Sequence, residues 1–240
     1  MEYKTKDFLL QINEGAFTDT TEYGHLSKRQ KLDRKFNLSI LQHDLMLLDD
    51  VAAHRGISRA ELLNSMLYNA FVSSLEELPA DARAFFAKHA DEKVTWNRNT
   101  VPWSADLYGS AGREQMEREL EEKPHSREYQ TVLRAVTERV PARGPLPLSS
   151  QTNPSRVLYV SVRPEPKLCA MLELIQIIDR RFLEREIPAE LKKIILSSPE
   201  FIPLVARTTE RILERCKPDA KSVLGQLIAR GVIGLEPVGQ

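Results

Sequence analysis

The sequence predicts a mainly α protein with a short two-stranded β-ribbon. Three observations carry that reading. Residues 35–41 alternate strictly, with Lys35, Asn37 and Ser39 on one face and Phe36, Leu38 and Ile40 on the other. A period of two marks a half-buried strand. Directly after it, the apolar residues change to helical spacing and pass through a sharply specified turn into a second helix. Much later, VLYVSVR at 157–163 is a second strand candidate rich in β-branched residues, again followed by helical patterns.

Each element of the first unit has a local cause. Leu45, Leu48, Val51 and Ala52 recur at three- and four-residue steps, as on one face of a helix. Gly56 ends it, because glycine accepts the left-handed conformation needed just past a helix end. Ser58 and Glu61 have the spacing of a capping box, with Ile57 and Leu62 as its hydrophobic staple. Leu62, Leu63, Met66, Leu67, Ala70 and Phe71 then continue an apolar stripe. A lone strand cannot satisfy its backbone donors, so the unit needs a mate, most simply through a two-fold axis pairing two strands antiparallel. A second molecule is the expected mate, giving a homodimer or higher homo-oligomer; residues 157–196 of the same chain are the alternative.

The strand FNLSIL, the helix ending at Gly56 and the GISRAEL opening of the next helix resemble the ribbon-helix-helix DNA-binding proteins of the Arc and MetJ class. The resemblance covers residues 34–74 of 240. It implies that paired strands enter the major groove of double-stranded DNA, with Lys35, Asn37 and Ser39 facing base edges. The chemistry of those side chains is suitable, since lysine donates to guanine, asparagine pairs with adenine and serine serves either. The resemblance also implies that Ser58 and Arg59, at the start of the second helix, hold a backbone phosphate through free N–H groups and the helix dipole.

Composition sets the limits. Hydrophobic content of 42% and charged content of 28% are those of an ordinary soluble protein. No apolar run is long enough to span a membrane, and the first residues lack a signal-peptide core, so a cytoplasmic protein without a membrane partner is expected. Cys169 and Cys216 are far apart, which fits a reducing compartment better than a disulfide framework. Net charge is zero, but only the contacting face meets phosphate. Lys28, Arg29, Lys31, Arg34 and Lys35 stand against a single Asp33, immediately before the first strand. Of that run, Lys28, Arg29, Lys31 and Arg34 are expected to contact phosphate.

Taken in order, the chain reads as a flexible basic arm (1–32), a ribbon-helix-helix domain (33–78), a helical extension (79–140), a linker rich in Pro, Ser and Gly (141–156) and a mostly helical C-terminal domain (157–240). In the extension, 79–90 is a short helix and 96–112 a loop in which Trp96, Trp103 and Tyr108 pin the chain to the domain or, beside Arg98, stack on a partner. A charged helix covers 113–123, and Ser126 caps another to Val140 with Tyr129, Leu133 and Val136 on one side. Past the linker, helices are expected over 166–183, 188–196, 198–216 and 218–230. The order strand, helix, helix repeats that of the first unit, although the first helix reads about eight residues longer and no glycine marks the turn. Residues 157–240 are therefore either a diverged second ribbon-helix-helix or a helical region for oligomerisation or a protein partner.

Enzyme chemistry leaves residue clusters, and none is found. The five histidines are scattered, without zinc spacing, and His43 and His54 are expected to face solvent. Asp49 and Asp50 are adjacent on a helix and so point apart. Cys169 and Cys216 read as small core hydrophobes. No catalytic residue, metal or cofactor is expected. The expected function is sequence-specific DNA binding, as a transcriptional repressor or a plasmid partition or transfer regulator. The rival is an interaction protein whose strand–helix–helix unit serves only dimerisation.

Overall fold

A computed structural model describes residues 36–93, 101–109, 112–138, 156–214 and 219–233. The chain divides into two compact units, Met1–Lys35 and Phe36–Gln240, and all described residues lie in the second. This unit is mainly helical with one two-stranded sheet.

The first strand, β1 (Phe36–Leu41), runs straight into α1 (Gln42–His54). Gly56, at φ 68°, turns the chain. The Ile57 N–H reaches back to the Ala52 carbonyl at 3.0 Å and the Gly56 N–H to Ala53 at 3.1 Å, the Schellman pattern that satisfies a helix C-terminus. Helix α2 (Arg59–Glu76) then opens on the anticipated capping box. The Glu61 N–H donates to Ser58 Oγ at 3.2 Å, and the Ser58 N–H donates to the Glu61 carboxylate at 2.6 Å.

Four helices follow: α3 (Ala80–Lys93), α4 (Trp103–Tyr108), α5 (Gly112–Glu121) and α6 (Arg127–Thr137). The chain then returns to the ribbon as β2 (Val157–Val162) and continues as α7 (Pro166–Ile178) and α8 (Phe182–Ser197). Helices α9 (Phe201–Leu213) and α10 (Val223–Ala229) complete the described residues.

The mate of β1 is β2 of the same chain. The strands are antiparallel, with Phe36 opposite Val162, Leu38 opposite Val160 and Ile40 opposite Leu158. The Gln42 N–H extends the ladder to the Arg156 carbonyl at 2.8 Å. This corrects the expectation that the strand pairs with a second molecule: its ladder partner lies in the same polypeptide. The ladder also joins segments expected to lie in separate domains on either side of the 141–156 linker.

Two strand–helix–helix units thus meet at the ribbon, with closely matched dimensions. Both strands have six residues and both first helices thirteen; the second helices have eighteen and sixteen. The expected extra length after β2 is absent. Helix α7 stops at Ile178, where the Asp179 carboxylate accepts from the Arg181 N–H at 2.9 Å and turns the chain. Apolar residues continue on both sides of that turn, which hid it. The helix expected to start at Pro188 starts at Phe182 instead, and Pro188 lies inside it, where its missing N–H costs one helical hydrogen bond.

The core joins both strand–helix–helix units and the insertion between them, helices α3–α6. Phe71 of α2 and Phe182 of α8, both fully buried, stack at 5.2 Å. Trp103, also fully buried, stacks on Tyr68 at 5.5 Å and meets Phe71 edge-on, while its indole N–H donates to the Lys167 carbonyl at 3.2 Å. The Lys167 ammonium lies over the Trp103 and Tyr68 rings and pairs with Asp106, which also accepts from the Tyr68 hydroxyl. Trp103 is therefore a wedge between α2 and α7, within a segment expected to be loop. Trp96, Arg98 and Cys216 lie outside the described residues; Cys169 is buried, its thiol donating to the Pro164 carbonyl.

Smaller differences have similar causes. On α6, Val132 and Ala135 are buried and Leu133 is exposed, so the helix is rotated about one position from the expected face. His43 is buried rather than solvent-facing, because α10 packs across α1. No helix among the described residues is long and apolar enough to cross a membrane.

Asn37 and Ser161 are directly opposite on the ribbon. Opposed Cα atoms in such a pair are about 4.5–5.5 Å apart, within disulfide reach. The double substitution Asn37→Cys with Ser161→Cys should therefore oxidise to a species of single-chain mobility on a non-reducing gel, independent of protein concentration. A covalent dimer absent from the single-substitution controls would mean that strands pair between molecules.

Candidate nucleic-acid interface

One face of the ribbon lies on the helices; the other is open at Asn37, Tyr159 and Ser161 and closed at Ser39 and Leu41. Leu38, Ile40 and Val162 are buried on the inner face, with Phe36, Leu158 and Val160 packed against the same core. Alternation then places Asn37, Ser39 and Leu41 of β1, and Val157, Tyr159 and Ser161 of β2, on the outer face. Asn37 and Ser161 are exposed, and Tyr159 is the most open large hydrophobic side chain among the described residues, at 67%. The Ser161 hydroxyl donates to Asn37 Oδ1 at 3.1 Å across the strands. That bond leaves the Asn37 amide N–H groups and the Ser161 oxygen for an incoming partner.

Not every anticipated contact residue is on this surface. Asn37 is as expected. Ser39 shares its face but is only 5% exposed, so it does not offer its hydroxyl to a partner. Lys28, Arg29, Lys31, Arg34 and Lys35 lie outside the described residues. Tyr159 and Ser161 were missed, although the VLYVSV alternation is the same signal that assigned faces to β1.

At the start of α2, Ser58 and Arg59 are exposed but engaged. The Ser58 side chain and N–H are both used by the capping box. The Arg59 guanidinium makes a two-pronged pair with the Asp49 carboxylate, at 2.5 and 2.6 Å. Both partners are substantially solvent-exposed, and such a pair is worth under about 1 kcal/mol, so exchange of the carboxylate for a phosphate costs little. The Glu61 carboxylate at the same helix start opposes an anion. At the corresponding start of α8 stand Arg180 and Arg181, with Glu184 at the helical position that Glu61 holds in α2.

The other polar centres support the scaffold. Asp49 and Asp50 do point apart: Asp50 accepts from Thr208 and Arg211 of α9. Among the described residues no group of three or more His, Cys, Asp or Glu could hold a metal ion. Asp44, only 1% exposed, accepts from the Val223 N–H at 2.7 Å and so caps α10 from α1. Gly225 lets the turn before α10 fold back on the helix: a β-carbon there would lie 2.1 Å from the Asp219 carbonyl oxygen.

Burial, with the like charge of Asp219 added, pushes the Asp44 carboxyl up to about 7, against the lowering effect of the Val223 and Leu224 N–H groups. In the unfolded chain it ionises near 4, the ordinary value for aspartate. Between those two values the fold binds more protons than the unfolded chain, so stability falls as pH rises through the window and levels off above it. Asp44→Asn keeps an oxygen for the Val223 N–H but cannot titrate. Urea titrations from pH 5 to 8 should show declining stability for the native chain and a flatter profile for the variant; parallel profiles would reject Asp44 as the source.

No family model matches the chain, and comparison with curated proteins and with solved structures finds no match.

Proposed function

We propose that this chain binds double-stranded DNA sequence-specifically, as a ribbon-helix-helix unit whose two halves lie in one polypeptide. The supporting observation is the outer face of the ribbon: a two-stranded antiparallel element, backed by helices, that exposes Asn37, Tyr159 and Ser161. A ribbon of that width fits the major groove. There Asn37 pairs with an adenine through its amide, Ser161 accepts from or donates to a base edge, and the Tyr159 ring contacts a thymine methyl. The basic run from Lys28 to Lys35, immediately before β1, supplies phosphate contacts, with Arg59 and Arg181 at the two helix starts. Control of transcription, as a repressor, or of plasmid partition or transfer is the process such binding serves.

A second reading is favoured by Tyr159 itself. An exposed aromatic beside Val157 is also a good anchor for a protein partner, and the same face would then be an interaction surface.

Binding measurements on a random duplex pool separate the two. DNA readout predicts selection of a sequence, and Asn37→Ala should relax preference at one or two base pairs by about 1–3 kcal/mol. Affinity should fall steeply with salt, and each basic residue removed from 28–35 should lower the log–log slope by about 0.9. A pool that yields no preferred sequence, with a flat salt response, would reject DNA as the partner.

A further inference from the structure

We infer that the ribbon reads a non-palindromic DNA sequence and that one chain, not two, completes the reading head; this rests on the DNA-binding function proposed above. A homodimeric ribbon presents every side chain twice, so its site repeats about a two-fold axis. Here the two strands come from one chain and differ. The inner-face pairs Phe36–Val162, Leu38–Val160 and Ile40–Leu158 are centred on Leu38–Val160, and the local two-fold through that pair brings Asn37 onto Tyr159 and Ser39 onto Ser161.

The two exposed reading positions therefore carry opposite chemistry. Asn37 offers a donor and an acceptor in one plane, the pair that adenine's major-groove edge requires. Tyr159 offers an aromatic ring with a single hydroxyl, and its favoured contact is apolar, with a thymine methyl. The serine pair is unequal as well: Ser39 is buried, whereas Ser161 is exposed and hydrogen-bonded to Asn37 across the ladder. Asn37 and Ser161 thus form one polar reading pair toward one end of the ribbon, and Tyr159 lies beyond it.

The test is selection from a random duplex pool with the full-length chain, followed by binding to duplexes of about one helical turn, 10–10.5 base pairs. The expected result is a consensus lacking two-fold symmetry and a stoichiometry of one chain per short duplex in sedimentation. Tyr159→Asn places the same side chain at both positions and should shift selection toward a more symmetric site, gaining adenine preference in the second half. Asn37→Ala should lose discrimination, roughly 5- to 150-fold, in one half only. Both positions are exposed, and unchanged thermal melting shows that each variant is folded. A palindromic consensus lost equally in both halves on Asn37→Ala, or two chains per one-turn duplex, overturns the asymmetry while leaving DNA binding intact. Absence of any selected sequence overturns both.

Discussion

A six-residue strand carries a row of backbone donors and acceptors that its own segment cannot satisfy, and the pairing of β1 with β2 answers that requirement along the edge they share. The inner faces of the two strands become one apolar surface only when they are joined. Phe36, Leu38 and Ile40 lie against Leu158, Val160 and Val162, and the helices behind each strand close over this surface. The stack of Phe71 on Phe182 is the same junction one layer deeper.

That pairing joins residues more than a hundred positions apart in the sequence. Loop-closure entropy grows only logarithmically with length, so the separation itself is a modest penalty, but it is met before the ladder contributes anything. The insertion between the units offsets it by packing on both. Trp103 is fully buried between α2 and α7, and Lys167 reaches from α7 over its ring to the Asp106 carboxylate. The insertion acts as a brace that brings β2 to β1, rather than as a domain hung on the side.

How much of this was legible depended on whether the cause was local. Strand alternation, the Gly56 turn and the Ser58–Glu61 capping box involve neighbours in sequence, and all three were readable. The break at Asp179 was not, because its stop is a side-chain hydrogen bond to the Arg181 N–H while the apolar pattern runs on through Ile177, Ile178 and Phe182. Pro188 added a false start, since proline at a helix beginning and proline inside a helix look alike without the flanking turn. The partner of β1 was the least accessible, because equal strand and first-helix lengths emerge only once that break is placed. At the outer face, Asn37 was found from alternation alone. The burial of Ser39, directly opposite an exposed Tyr159, is a tertiary outcome that no local pattern encodes.

Placing both halves in one chain has consequences that a dimer of identical units cannot share. The ribbon forms in a unimolecular step, so its stability does not depend on protein concentration, as that of an obligate dimer does. For the DNA recognition proposed, a change at 159 is no longer forced to appear at 37 as well. In a homodimer, a tyrosine suited to one half-site would be imposed on the other, even where an amide were needed. Here the buried inner positions remain alike, aliphatic or aromatic on both strands, because both must close the same core. The outer positions are released from that constraint, and it is there that Asn37 and Tyr159 differ. The symmetry of the ladder and the asymmetry of its exposed face have one source: the core constrains the two strands equally, and the single chain allows everything outside the core to differ.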